Sequence, residues 1–281
     1  MNNNLIQRTI TGFLFVSIII GAILIHALSF ALVFLVFTAL AVFEFHDLVK
    51  QKFDVQLNKY LASFTALLLF VSMYLFASEK FDHRIFAPYF MLLCFIFIAE
   101  LFRKKENPVM NWAMLVLGQT YVALPFALLN MIAFINGKYY PVIILAFFVI
   151  IWIYDSGAYL VGITLGKHRL FERISPKKSW EGFFGGLLFA LLGGYIFSLI
   201  DIHFTTGITA KLSLLEWLGF SLIIVIFGTF GDLSESLFKR TINVKDSGNM
   251  LPGHGGILDR FDSIFFATIA ICIYLQLLFT I

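Results

Sequence analysis

Charge is scarce in this chain. Only 13% of its 281 residues are Asp, Glu, Lys or Arg, about half the share usual in soluble proteins. Hydrophobic residues make up 60%, and the mean hydropathy is +0.92. A soluble domain has no means of hiding that much apolar surface, so lipid must be the solvent. The net charge of +3 is too small to argue for a nucleic-acid partner. Cysteine is nearly absent: Cys94 and Cys272 both lie in apolar runs, which excludes a disulfide or zinc framework. No His-Glu-x-x-His occurs. GITLGKH, Gly162 to His168, is one residue short of a P-loop and lacks Ser or Thr after Lys167.

What the chain has in abundance is long apolar runs, with 35 Phe among them. A helix needs roughly 20 apolar residues to cross a bilayer core. Nine stretches qualify, at about 10–26, 29–48, 60–77, 85–102, 112–134, 141–164, 181–200, 214–238 and 257–280. The first two are separated only by a tight turn near Ala27. The N-terminal stretch MNNNLIQRTITGFLFVSIII has no small-x-small cleavage site at the right distance, so it reads as a retained first span. The expected fold is all-α: a polytopic integral membrane helical bundle of about nine transmembrane helices. Residues 1–135 would supply about five N-terminal spans, and residues 136–281 a C-terminal catalytic set.

Orientation follows from Lys and Arg. With the N-terminus inside, the inner segments hold Arg8; Lys50, Lys52 and Lys59; Arg103, Lys104 and Lys105; Lys167, Arg169, Arg173, Lys177 and Lys178; and Lys239, Arg240, Lys245 and Arg260. The outer segments hold only Lys80, Arg84, Lys138 and Lys211. This asymmetry predicts an N-in, C-out topology.

Acids inside spans are expensive, on the order of 2.5–3.5 kcal/mol each on insertion scales. Here Asp155 lies in IIWIYDSGAYLVG, and Asp232 and Glu235 in FGTFGDLSESLFKR. Asp259 and Asp262 open the last span in ILDRFDSIFF, and Glu181 opens the seventh in SWEGFFGG. The alternating span directions put all of them toward the cytoplasmic side. Asp232, Glu235, Ser236 and Lys239 share one helix face, with Glu235 and Lys239 spaced for an ion pair. Asp259 and Asp262, three apart, would share a face of the ninth helix. These spacings predict a polar cavity among the C-terminal helices. Glu44, Asp47 and Glu100 lie near span ends and read as solvated or paired with nearby Lys. GFFGG, Gly182 to Gly186, reads as a close helix-packing motif.

Hard oxygen ligands without Cys or His neighbours suit Mg²⁺, which is held by one or two carboxylates plus substrate phosphates. Around them lie Lys177, Lys178, Lys239, Arg240, Lys245, His254 and Arg260. Carboxylates, a metal and bases together describe a polyphosphate site. Gly253, Gly255 and Gly256 would let backbone N–H groups approach a phosphate, at the start of a helix that favours anions. The dipeptide Asp-Gly is absent, which excludes the Asp-Gly-initiated signature of the CDP-alcohol phosphotransferases.

SLFKRTINVKDSGNMLPGHGGILDRFDS, Ser236 to Ser263, resembles the signature of the phosphatidate cytidylyltransferases, or CDP-diacylglycerol synthases. That signature runs Ser-x-apolar-Lys-Arg, four residues, Lys-Asp, then Pro-x-His-Gly-Gly, an apolar residue, x, and Asp-Arg-apolar-Asp; every fixed position is met. GDLSES, DSGAYLVG and SPKKSWEGFFGG resemble further family blocks in the same order. The specific match covers the C-terminal half. Ser179 stands where the family often has Thr, which keeps the hydroxyl.

The resemblance implies a reaction: CTP plus phosphatidate gives CDP-diacylglycerol plus pyrophosphate. It implies a divalent metal, Mg²⁺ or Mn²⁺, with a monovalent cation such as K⁺ possible, and a homodimer. Carried over by position, Asp232 and Asp259 are the metal-binding carboxylates. Lys239, Arg240 and Lys245 are expected to contact phosphates, with Asp246 and Asp262 in the same catalytic set. His254 has two open roles, phosphate contact or protonation of the leaving group. Lys177, Lys178 and Ser179, with Ser175, Glu181, Asp155, Ser236 and Arg260, would hold the nucleotide or the lipid headgroup. The expected setting is a bacterial inner membrane with the site facing the cytoplasm. The alternatives weighed are a cation-coupled transporter, whose acids would sit near the membrane centre of inverted repeats, and a CTP-dependent lipid kinase. A purely structural scaffold gives no reason to bury acids.

Overall fold

In the computed structural model the described residues are 2–53, 55–104, 106–204, 211–248, 250, 253 and 255–279. His254, Pro252 and Lys105 lie outside them. Among the described residues, nine helices are long and apolar enough to cross a membrane: Gln7–Ile25, Ala27–Phe53, Lys59–Ala77, His83–Phe102, Pro108–Ala133, Pro141–Leu165, Trp180–Asp201, Leu214–Thr241 and Leu258–Phe279. The chain is a polytopic helical membrane protein.

The chain forms two compact units. The first comprises Met1–Tyr139 and Thr241–Phe261. It holds α1 (Asn2–Ile25), α2 (Ala27–Phe53), α3 (Lys59–Ala77), α4 (Ala87–Phe102), α5 (Pro108–Leu117), α6 (Leu124–Ala133) and, from the later segment, α10 (Leu258–Phe261). One residue, His26, separates α1 from α2: its Nδ1 accepts the Leu28 N–H at 3.0 Å, and its own N–H donates to the Ser29 hydroxyl at 3.0 Å. One wider turn of helix, Gly118–Ala123, joins α5 to α6. The fully buried Phe30, Phe34, Phe45, Phe70 and Phe126 fill this unit's interior. Phe261 packs among them, with ring centroids 5.0 Å from Phe126, 5.2 Å from Phe37 and 5.5 Å from Phe15.

The second unit comprises Tyr140–Arg240 and Asp262–Ile281. Its elements are α7 (Pro141–Leu165), α8 (Trp180–Phe204), α9 (Leu214–Thr241, to Arg240 within this unit) and α11 (Ile264–Phe279). Small residues decide how α7 meets α8. A Cβ on Gly182 would stand 2.8 Å from the Ala158 carbonyl, and one on Gly186 2.8 Å from the Tyr154 carbonyl. GFFGG is therefore a packing motif, as its spacing suggested. The Tyr154 hydroxyl lies 2.6 Å from Thr229 of α9, whose own proton goes to the Val225 carbonyl at 2.7 Å. Tyr154 is thus the donor and ties α7 to α9.

Two features depart from an all-helical reading. Two small antiparallel ladders are present, β1 (Phe134–Ile135) with β2 (Lys138–Tyr139), and β3 (Arg169–Phe171) with β4 (Ser175–Ser179). Between β1 and β2, Asn136 and Gly137 take φ of 50° and 70°, the left-handed pair that a two-residue hairpin turn requires. The ninth span is also not one helix. α10 ends at Phe261 and α11 starts at Ile264, because the Asp262 carboxylate folds back to accept the Ser263 N–H at 2.6 Å. Asp259 and Asp262 therefore do not share a helix face, contrary to their three-residue spacing. They belong to different compact units.

The α7–α8 contact yields a stability prediction. Gly186→Leu should lower stability by roughly 1–3 kcal/mol through overpacking. Phe184→Leu, at a side chain 59% exposed, should stay within about 0.5 kcal/mol. Thermal denaturation of both variants in detergent checks the contrast.

Candidate active site

In the second unit, two helices, the turn before a third and one strand bring polar residues together. α7 supplies Asp155, and α9 supplies Asp232, Glu235 and Ser236. The residues before α11 supply Asp262, and β4 supplies Lys178. The close approach depends on Gly231, where a Cβ would meet the Asp262 carbonyl at 2.6 Å. Lys178 Nζ makes an ion pair with Asp232 Oδ2, and Asp232 Oδ1 accepts from the Ser236 hydroxyl at 3.2 Å. Asp155 faces the charges of Asp232 and Lys178. Asp262 lies within range of the charges of Asp232, Glu235, Asp155 and Lys178. Glu235 is buried and pairs with Lys239 at 2.9 Å, the ion pair its i, i+4 spacing predicted. Asp155 stays exposed while Asp232 is partly covered. The arrangement is a set of mutually repelling carboxylates with two lysines among them.

In the first unit, the segment after α9 folds onto two carboxylates. Asp259 Oδ2 accepts from the Ser247 N–H and the Gly256 N–H, both at 2.9 Å. Glu44 of α2 accepts from the Ser247 hydroxyl, from the Ile257 N–H at 2.9 Å and from the Leu258 N–H at 3.2 Å. Of Gly253, Gly255 and Gly256, expected to approach a phosphate, Gly256 has its N–H taken by Asp259, and the N–H groups of Ile257 and Leu258 just after it are taken by Glu44. Gly255 has φ of 84°, a left-handed conformation that favours glycine. Arg8 Nε donates to the Gly253 carbonyl at 2.8 Å.

The remaining predicted residues fall as follows. Arg240, Lys177, Lys245, Asp246 and Arg260 are exposed, and Ser175 pairs with Phe171 in the β3–β4 ladder. Ser179 is buried, and its hydroxyl accepts the Gly182 N–H at 3.1 Å; it caps the start of α8. Glu181 accepts from the Lys167 N–H at 3.1 Å and meets His168 Nδ1 at 2.6 Å, so it closes the turn before β3. His254 lies outside the described residues. Asp47 pairs with Lys59 at 2.7 Å, the Lys partner expected of a span-end acid, whereas Glu100 is buried and pairs with Arg103 at 2.9 Å. Glu44 departs from that reading: it is 2% exposed, with donors 203 to 214 residues away in sequence. The sequence signal that marks it is an acid inside a span with no basic residue three or four positions away.

Among the described residues, no three His, Cys, Asp or Glu side chains form a ready-made metal cage. The donor set nevertheless fits a hard divalent cation of the Mg²⁺ kind, which takes few protein carboxylates and completes its shell with water and substrate phosphates.

The chain matches the family model described as "Cytidylyltransferase family" over residues 6–278. A relative from Bacillus subtilis, named phosphatidate cytidylyltransferase, is 34% identical over 272 residues, covering 92% of this chain and 93% of its own. Relatives of the same name are 46% identical over 124 residues in Staphylococcus epidermidis and 50% identical over 123 residues in Staphylococcus aureus. Each of these two alignments covers 44% of this chain and 45% of the relative.

The charge balance of the second unit can be tested directly. Lys178→Met leaves Asp232, Asp155 and Asp262 with less positive charge beside them. Its melting temperature should fall below the unmodified protein's in metal-free buffer, and the gap should narrow as Mg²⁺ is added. A gap independent of Mg²⁺ would remove the shared-charge reading.

Proposed function

We propose, for a chain that belongs to the cytidylyltransferase family, that it transfers CMP from CTP to phosphatidate, giving CDP-diacylglycerol and pyrophosphate. The observation that carries the reading is the convergence of Asp155, Asp232 and Asp262 with Lys178. The full-length similarity to the Bacillus subtilis relative supports the same substrates. Neither a transporter nor a CTP-dependent kinase is favoured by any observation above.

The chemistry suits these residues. A non-bridging oxygen of the phosphatidate phosphate attacks the α-phosphorus of CTP and forms a new P–O bond. The bond from that phosphorus to the oxygen bridging to the β-phosphorus breaks, and its electron pair leaves with pyrophosphate. The nucleophile is already an anion, so no strong general base is needed. The barrier is repulsion between two anions, and fixed cations lower it. Asp232 and Asp259 would hold the divalent cation, Mg²⁺ or Mn²⁺, with K⁺ as a possible second ion. Such a cation supplies charge neutralisation on the phosphates. Lys239, Arg240 and Lys245 are assigned to phosphate contacts, with Arg better suited to bidentate ones. Lys178 steadies Asp232 and so sets the charge that the nucleotide meets. Ser179 and Glu181 shape the β4–α8 junction that carries Lys177 and Lys178. Asp246, Asp262, Ser175, Ser236, Arg260 and His254 complete the proposed set.

The proposed setting is a bacterial inner membrane, N-in and C-out, with the site facing the cytoplasm; the skew of Lys and Arg to one side supports it. CTP then arrives from water while the acyl tails stay in the leaflet. Extracting the lipid would instead cost about 0.8 kcal/mol for each exposed CH₂. A homodimer belongs to the same proposal.

Purified protein with phosphatidate, Mg²⁺ and CTP labelled at the α-phosphate should place label in the lipid and release pyrophosphate. Label carried to lipid from the γ-position, with CDP released, would mean a kinase. Asp232→Asn and Asp259→Asn should each reduce kcat at least about 100-fold, ~2.7 kcal/mol of barrier, with the fold retained by circular dichroism. Lys245→Ala should raise KM without altering insertion; unchanged kinetics would strike it from the site.

A further inference from the structure

Glu44 has no part in the chemistry above, yet it is among the most thoroughly enclosed acids in the chain, 2% exposed within α2. An acid in a span is retained against a penalty of roughly 2.5–3.5 kcal/mol on insertion scales, so its partners matter. They are donors from one short segment. The Ser247 hydroxyl lies at the beginning of that segment, and the Ile257 and Leu258 N–H groups lie at its end. The carboxylate therefore clamps both ends of 248–256. Two glycines admit it: a Cβ on Gly248 would stand 2.9 Å from Glu44 Oε2, and the atom nearest a Cβ on Gly256 would be Glu44 Oε1.

Ser247 passes the clamp on to Asp259. Its hydroxyl donates to Glu44 and accepts the Asp259 N–H at 3.4 Å. Its own N–H donates to Asp259 Oδ2 at 2.9 Å, beside the Gly256 N–H at 2.9 Å. One carboxylate is thus held by the residues that grip the other. Phe261, two residues further on, is fixed from the other side by Phe15, Phe37 and Phe126.

We propose that Glu44 is a positioning residue: by gripping Ser247, Ile257 and Leu258 it fixes the direction in which Asp259 presents its carboxylate. The role of Asp259 in cation binding rests on the cytidylyltransfer reading; the grip itself does not. An outer partner that orients a ligand typically contributes 10–100-fold in metal affinity or activity, and Glu44 acts at that remove. The inference also gives the N-terminal half a function, since α2 holds the segment that bears the signature.

The test uses the full chain in detergent, with Glu44→Gln and Ser247→Ala. Glu44→Gln keeps the shape but turns an amide donor toward groups that are themselves donors. Hydrogen exchange at the amides of 256–258 should accelerate relative to amides elsewhere in the same protein. The Mg²⁺ concentration for half-maximal turnover should rise by about 10-fold or more, while KM for phosphatidate stays unchanged. Ser247→Ala should move both readouts in the same direction by less, and it decides the matter if Glu44→Gln does not fold. Protected amides at 256–258 in Glu44→Gln overturn the grip. Fast amides with unaltered Mg²⁺ dependence and kcat overturn the positioning role. If the unmodified protein transfers no CMP, the functional reading fails, and the exchange data alone still decide the grip.

Discussion

Gathering carboxylates in an apolar helical unit is tolerable only if positive charge is gathered with them. Asp155, Asp232 and Asp262 come from α7, α9 and the turn before α11, within reach of one another's charge. The protein supplies Lys178 on Asp232 and Lys239 on Glu235, and the remaining imbalance suits a bound cation. Much of the surrounding architecture serves this convergence. Gly182 and Gly186 bring α8 against α7, Tyr154 ties α7 to α9, and Gly231 lets the chain at Asp262 lie against α9. The charge cluster makes sense of glycines that would otherwise only weaken helices.

The spans were legible because apolar length is a local and nearly sufficient signal in lipid. The expected limits fall within a few residues of the observed ones for most spans. Local acid–base pairs were legible for the same reason: Glu235 with Lys239 follows from helical spacing. What was hidden depended on the chain returning to itself. SPKKS forms β4, a strand not foreseen from the sequence, because its partner β3 precedes it by a few residues and completes a ladder. The capping role of Ser179, whose hydroxyl accepts an N–H from the first turn of α8, was equally unmarked. The break at Asp262 was hidden because apolar residues continue on both sides, and only the folded-back carboxylate interrupts the helix. Glu44 was hidden most deeply. Its place near a span end suggested solvent or a nearby Lys, and the true donors lie more than two hundred residues away.

The signature reads as one contiguous string, but the structure divides its labour. Residues up to Arg240 and from Asp262 onward belong to the second unit, and 241–261 to the first. The fixed spacings within it therefore satisfy two separate sets of neighbours. In the second unit they bring Ser236 and Asp262 to Asp232. In the first they deliver Ser247, Gly256 and Asp259 to α2. A single insertion in this string would disturb both.

The long reach between Glu44 and Ile257, 213 residues, has a consequence for how the protein is made. At ribosomal speeds, α2 is synthesised roughly 10–40 s before the segment that supplies its donors. Throughout that interval the membrane holds a helix with a carboxylate whose native partners do not yet exist. A segment translated some two hundred residues later quenches it. A nascent chain that stops before Ser247 keeps that acid unanswered, so the hydrogen bonding of the second helix waits on a segment two hundred residues downstream.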